Sequence, residues 1–132
     1  MDIKQIYPVF IVSDISKTKK FYTNHFGFQI ALELDWFLNL NHPSNSNHRI
    51  VFVQKDHSSV PDFYKGRTNG FALDFRVEDA TAEFEKSLES GIEIKQQLRD
   101  EPFGDRHFIV TDPDGVLINV VQSIEMTEDF SG

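Results

Sequence analysis

Not one of the 132 residues is a cysteine. That excludes a disulfide framework, thiolate metal ligands and a cysteine nucleophile, leaving imidazole and carboxylate as the strong metal donors. No apolar run approaches membrane-spanning length, and Met1-Asp2-Ile3-Lys4-Gln5 lacks the basic start and apolar stretch of a secretory leader. These absences predict a soluble, cytoplasmic protein. Basic residues are also scarce, with 13 Lys and Arg against 21 Asp and Glu and a formal net charge of −8. Phosphate recognition needs a clustered basic face, so neither nucleic acid nor an anionic membrane is expected as partner. Lys17, Lys19 and Lys20 form the only local cluster and read as the solvated side of a helix.

What the chain has in excess is aromatic surface: 13 Phe, 3 Tyr and a single Trp. That is more than a small two-layer core requires, and it suits either an apolar ligand cavity or a buried subunit interface.

The stretch Arg106 to Gln122 reads as a hairpin, two apolar and β-branched runs joined by Asp112-Pro113-Asp114-Gly115. Asn119 is the one polar residue inside the second run. Upstream, Gln5 to Val12 is a strand whose Pro8 marks an edge or an irregular start. Asp14 is placed to cap a helix over residues 15–26, with Ile15, Tyr22 and Phe26 along one side and Gly27 closing it. Phe28 to Leu34, Trp36 to Leu40 and Arg49 to Gln54 are strand candidates, the last two separated by a polar hairpin loop from Asn41 to His48.

After a linker over 57–68, in which Val60, Phe63 and Tyr64 are too apolar for a free tether, the order recurs. Gly70 to Val77 is a strand, and Asp79 caps a helix with an apolar stripe of Ala80, Phe84 and Leu88, closed by Gly91. Ile92 to Leu98 is a strand, Arg99 to Asp105 a loop, and the hairpin completes the set. The chain divides into modules 1–56 and 69–125 and a tail over 126–132, and the polar, acidic stretch from Ser123 is expected to fray.

The two halves match in register. Asp14 and Asp79 are 65 residues apart, Gly27 and Gly91 are 64 apart, and the two Val-Gln strand ends at Gln54 and Gln122 are 68 apart. A duplicated βαβββ module follows, an α+β fold.

Val12-Ser13-Asp14-Ile15, Lys20-Phe21-Tyr22, Phe26-Gly27-Phe28 and the run Glu101 to Gly115 carry a resemblance to the vicinal oxygen chelate superfamily, which includes glyoxalase I, extradiol dioxygenases and bleomycin-resistance proteins. The resemblance implies two tandem modules forming an open, curved mixed sheet, a half-barrel with its helices outside, and a homodimer. In catalytic members it also implies a divalent metal at four inward positions, here Tyr7, Val51, Ala72 and Asn119. Two of those side chains hold no donor and two hold weak ones, so no metal and no cofactor is expected.

If the resemblance holds, Tyr7, Trp36 or Phe37, Phe52, Phe71 and Phe103 would ring the concave face and stack a ligand, with Tyr7 and Asn119 supplying polar contacts. Only one of the strand neighbours Arg106 and His107 can point inward, and the sequence leaves open which. His25, His42, His48 and His57 read as solvated, and Asp14, Asp79, Asp112 and Asp114 as structural. The resulting expectation is a small-molecule-binding protein of the bleomycin-resistance type taking an aromatic or cationic compound. The alternative is a lyase, isomerase or dioxygenase of the same superfamily, with a non-standard or absent metal.

Overall fold

The computed structural model describes residues 1–64 and 69–127. Residues 65–68 of the expected linker and 128–132 of the expected tail lie outside the described residues. The chain forms two compact units that divide between Thr68 and Asn69.

The first unit runs β1 (Val9–Val12), α1 (Ile15–Phe26), β2 (Gln29–Glu33), β3 (Phe37–His42) and β4 (Asn45–Gln54), then a single 3₁₀ turn at Asp62–Tyr64. Its four strands lie in the order β1-β4-β3-β2, with β1 parallel to β4 and the other pairs antiparallel. The second unit repeats the plan with β5 (Ala72–Arg76), α2 (Ala80–Ser90), β6 (Ile94–Glu101), β7 (Asp105–Thr111) and β8 (Leu117–Ser123), in the order β5-β8-β7-β6. The architecture is thus α+β, two tandem βαβββ modules, each a mixed four-stranded sheet with one helix.

Both helices begin and end as the sequence predicts. The Asp14 carboxylate accepts the N–H groups of Ser16 and Lys17, the Asp79 carboxylate that of Ala82, and Gly27 and Gly91 close the helices at φ 73° and 76°. A second cap explains the repeated Val-Gln. Gln54 Oε1 accepts the Ile15 N–H and Gln122 Oε1 the Ala80 N–H, each at 3.0 Å. The last strand of each module therefore ties down the first turn of its own helix.

Each core lies between helix and sheet. In the first unit Tyr22 of α1, with no exposed surface, packs on Phe52 at 5.0 Å between ring centres, and Phe52 stacks on Phe10. In the second unit Phe84 of α2 meets Phe108 of β7 at 5.2 Å. Burying each such side chain contributes roughly 1.5–3 kcal/mol.

Several expectations are corrected. The first strand starts at Val9, because Pro8 has no N–H to give; its carbonyl still accepts from Val51 at 3.1 Å. Most of Asn41 to His48, expected as loop, is strand, since exposed polar side chains do not stop backbone pairing and only Pro43-Ser44 turns. Likewise β6 and β7 run through most of the loop expected at Arg99 to Asp105, and only Pro102-Phe103-Gly104 turns. Leu88, placed on the apolar stripe, is half-exposed. The described part of the tail is paired rather than frayed, with Ile124 N–H donating to Gly104 and Thr127 N–H to Pro102. In the linker Val60 is buried, whereas Phe63 is exposed.

Strands β2 and β6 occupy one edge of their sheets, and both are irregular. The register slips between Ile30 and Leu32 in β2, and twice in β6 between Ile94 and Arg99.

Candidate functional site

Directly paired residues project from the same face of a sheet, so the register assigns every side chain to the helix face or the opposite one. Arg106 pairs with Gln122, and Gln122 reaches α2; Arg106 therefore lies on the helix face. There it makes a bidentate pair with Asp100, Nε to Oδ1 at 2.7 Å and Nη2 to Oδ2 at 3.1 Å. The Arg106 hydrogen bond holds the Asp100 carboxyl below its usual value, and Asp100 in turn raises the guanidinium. His107 pairs with Val121 and occupies the face turned away from α2. Register separates the two residues: His107 shares a face with Asn119, Arg106 does not.

That face of the second sheet is polar. His107, only 8% exposed, donates Nδ1–H to Asn119 Oδ1 at 2.8 Å. Its Nε2 is then the acceptor toward the Gln96 amide at 3.4 Å, with Glu101 Oε1 at 4.0 Å. Arg76 on β5 bonds Asp105 and Ser123 at 3.1 and 3.2 Å, and Arg99 pairs with Glu101 at 2.8 Å. Asp74 sits beside Asn119 across the β5–β8 ladder. The arrangement can hold a polar group against a fixed imidazole tautomer.

The corresponding face of the first sheet carries Val9, Ile11, Val51, Val53, Phe37 and Asn39 in matched register. It is apolar at its centre, where Asn39 Oδ1 is buried without a hydrogen-bond partner among the described residues, and polar beyond that at the Asn41–Arg49 pair. Tyr7 is exposed at the start of this unit, with the Arg49 guanidinium 5.2 Å over its ring and Arg49 Nη1 donating to Gln5 at 3.0 Å. Trp36 stacks face to face on His57, 3.7 Å apart and 6° from parallel, and touches Phe37 edge-on at 5.6 Å. One face of the indole is thereby covered from within the chain. Phe52 faces α1 and is fully enclosed, so its ring fills the core rather than a binding face. Phe103 lies in the β6–β7 turn, about half-exposed, and Phe71 just before β5 is similarly exposed.

Two histidines expected to be solvated have structural work. His42 Nε2 donates to the Phe26 carbonyl at 2.7 Å while its Nδ1 accepts the Ser44 N–H, tying the end of α1 to the β3–β4 turn. His57 uses Nδ1 in the same way, accepting the Ser59 N–H at 3.1 Å.

The four positions assigned to a metal by resemblance do not fit one. Val51 and Ala72 offer no donor, Tyr7 offers only a phenol, a weak ligand, with the Arg49 cation over its ring, and the Asn119 oxygen is taken by His107. Hydrocarbon and a committed amide cannot replace the water shell of a divalent cation.

Residues that sequence reasoning passed over are Asp74, Gln96 and Glu101 on the polar face, and the two capping glutamines. The repeat held a signal for Asp74, because it falls 65 residues after Val9, the spacing that also separates the capping aspartates.

A sequence profile described as the Glyoxalase/Bleomycin resistance protein/Dioxygenase superfamily matches residues 4–120. Among solved structures, a virulence protein from Salmonella typhimurium is 26% identical with a TM-score of 0.74, covering 94% of this chain and 100% of its own. The antibiotic-binding protein TnmS3 from Streptomyces sp. CB03234 is 24% identical, TM-score 0.70, over 93% of this chain and 98% of its own. A lactoylglutathione lyase from Agrobacterium tumefaciens is 16% identical, TM-score 0.72, over 92% and 96% respectively. The last two bear on the fold alone. No curated protein matches the sequence.

Proposed function

The chain belongs to the glyoxalase/bleomycin resistance protein/dioxygenase superfamily, and from that premise we propose that it is a metal-free small-molecule-binding protein that sequesters an aromatic or cationic compound. The observation that carries this reading is the donor set: carbon side chains at Val51 and Ala72, and an Asn119 oxygen already bonded to His107. Without a cation, the polarisation of paired substrate oxygens has no centre to run through. What is left is recognition by shape, stacking and hydrogen bonds.

In the second unit His107 and Asn119 supply polar contacts and Phe103 aromatic surface; in the first, Tyr7, Trp36 and Phe37 supply aromatic surface. Phe52 and Arg106 act structurally, on the helix faces of their sheets. The protein works as a cytoplasmic homodimer, a reading supported by the frequency of dimers in the superfamily. No helix among the described residues is long and apolar enough to cross a membrane. The use of the fold by an antibiotic-binding protein also favours a binding role.

A panel of aromatic and cationic compounds, screened by thermal shift and by the emission of Trp36, tests the proposal. Micromolar binding by at least one class is expected, and failure of the whole panel would overturn it. Stoichiometric metal in the purified protein, removable by chelator with loss of a measurable turnover, would instead establish the enzymatic alternative, a lyase, isomerase or dioxygenase.

A further inference from the structure

We infer that Asp74, with Asn119 beside it, is the cation-recognising pole of the second unit, taking an organic ammonium ion that carries an oxygen acceptor near its nitrogen. This rests on the binding role proposed above and narrows its ligand class. The first argument is a charge balance on the sheet face turned away from α2. Arg76 is committed to Asp105 and Ser123, and Arg99 to Glu101. At the start of β6 Lys95 is paired with Glu93. His107 donates to Asn119 and accepts from Gln96. Asp74 has neither a hydrogen bond nor an ion pair among the described residues, and its side chain is exposed. One negative charge is therefore left over.

The second argument comes from the repeat. Asp74 pairs with Asn119 in the parallel β5–β8 ladder, and the same rung of the first unit is Val9 with Val51 in β1–β4. The fold accepts a valine where Asp74 stands, so a carboxylate there is not needed for folding, while the amide at Asn119 is tied to His107. Both groups change what the rung can bind.

The third argument is the hydrogen-bonding inventory of Asn119. Its Oδ1 is occupied by His107, which orients the amide and leaves Nδ2–H₂ as the group without a partner among the described residues. A carboxylate and an amide N–H on adjacent strands, about 5 Å apart along the sheet, match an ammonium and a neighbouring carbonyl or hydroxyl oxygen. An anion is repelled by Asp74. A neutral compound gains only the amide contact.

The test uses the full chain, labelled with nitrogen-15, titrated with three probes of one shape: phenylalaninamide, 3-phenylpropanamide without the amine, and phenethylamine without the carbonyl. Phenylalaninamide is expected to shift the amide signals of Asp74 and Asn119 and to bind roughly three- to tenfold more tightly than either of the other two. Asp74→Asn, on an exposed position, should keep the thermal midpoint while reducing phenylalaninamide to the affinity of 3-phenylpropanamide. Equal affinities for all three probes, no binding, shifts confined to other residues, or discrimination that survives in Asp74→Asn would each overturn the assignment. Since the broader compound panel is read on the whole protein, a hit there beside a failure here removes this pole and leaves the binding role standing.

Discussion

Asn119 Oδ1 lies 2.8 Å from His107 Nδ1 and, having no proton to give, can only accept. The bond therefore fixes which nitrogen of a nearly buried imidazole carries hydrogen. It also occupies the one strong donor-accepting atom at that position of β8.

Replacing Asn119 with valine, the residue at the matching place in the first unit, removes the acceptor and strands the Nδ1–H. A loss of about 1–3 kcal/mol in unfolding free energy is expected, the cost of a buried donor left without a partner. Urea unfolding measures it, and the imidazole nitrogen shifts of His107 should show the Nδ1–H form giving way. An unchanged tautomer in Asn119→Val would show that another group sets it.

The two glutamine caps predict a paired result. Gln54→Ala should free the Ile15 N–H and Gln122→Ala the Ala80 N–H, each lowering stability by about 0.5–2 kcal/mol. Glutamate at position 122 keeps an acceptor beside a helix N-terminus and should recover most of the loss; at position 54 it should recover less, because Gln54 Nε2 also donates to the Ser13 carbonyl at 2.6 Å and a carboxylate cannot. Hydrogen exchange at the Ile15 and Ala80 amides gives a local readout. If alanine leaves both exchange rates unaltered, the caps are idle.

The Arg106–Asp100 pair has a defined sign with pH. Arg106 lowers the Asp100 carboxyl from its ordinary 3.8, so the pair stabilises the fold above that value and its contribution is lost as pH falls through the lowered one. In Arg106→Gln the carboxyl titration, followed by carbon-13 NMR of Asp100, should move up toward the ordinary value. Because the pair is open to solvent its effect on stability is small. Coincident titration curves in the two proteins would refute the coupling.

Trp36 is the only tryptophan, and His57 covers one of its faces at 3.7 Å. His57→Ala uncovers the indole, so its emission should shift to longer wavelength, with a stability loss of about 0.5–1.5 kcal/mol for the lost ring pair. A spectrum that superimposes on the wild type would mean that the stack does not persist in solution. The same variant also shows whether ligands reach Trp36 more readily once its partner is gone.

Much of the fold is legible in the sequence because its signals are local. The capping aspartates, the closing glycines and the matched spacing between halves announce two βαβββ modules. Hairpin tips are not legible in that way. Asn41 to His48 has loop composition, yet its backbone groups pair across the turn whatever the side chains are. The candidate site divides similarly. Strand alternation shows that Arg106 and His107 face opposite ways, but which faces the helix depends on the pairing of Arg106 with Gln122, a long-range fact. The repeated Val-Gln was visible as a pattern, while its cause, a glutamine reaching across to the helix of its own module, lies in the packing. His42 and His57 looked solvated because nothing local marks the carbonyl or the indole they meet.

The slip in β2 has a further result. Ile30 and Leu32 are two residues apart, which in a regular strand would set both on one side; instead Ile30 pairs with Leu40 and Leu32 with Asn39, on opposite faces. A rim that would have offered a continuous greasy row thus offers two isolated side chains and a broken run of backbone donors and acceptors. Such a rim is a poor template for the strand of a stray neighbour, and it removes one route by which copies could add edge to edge.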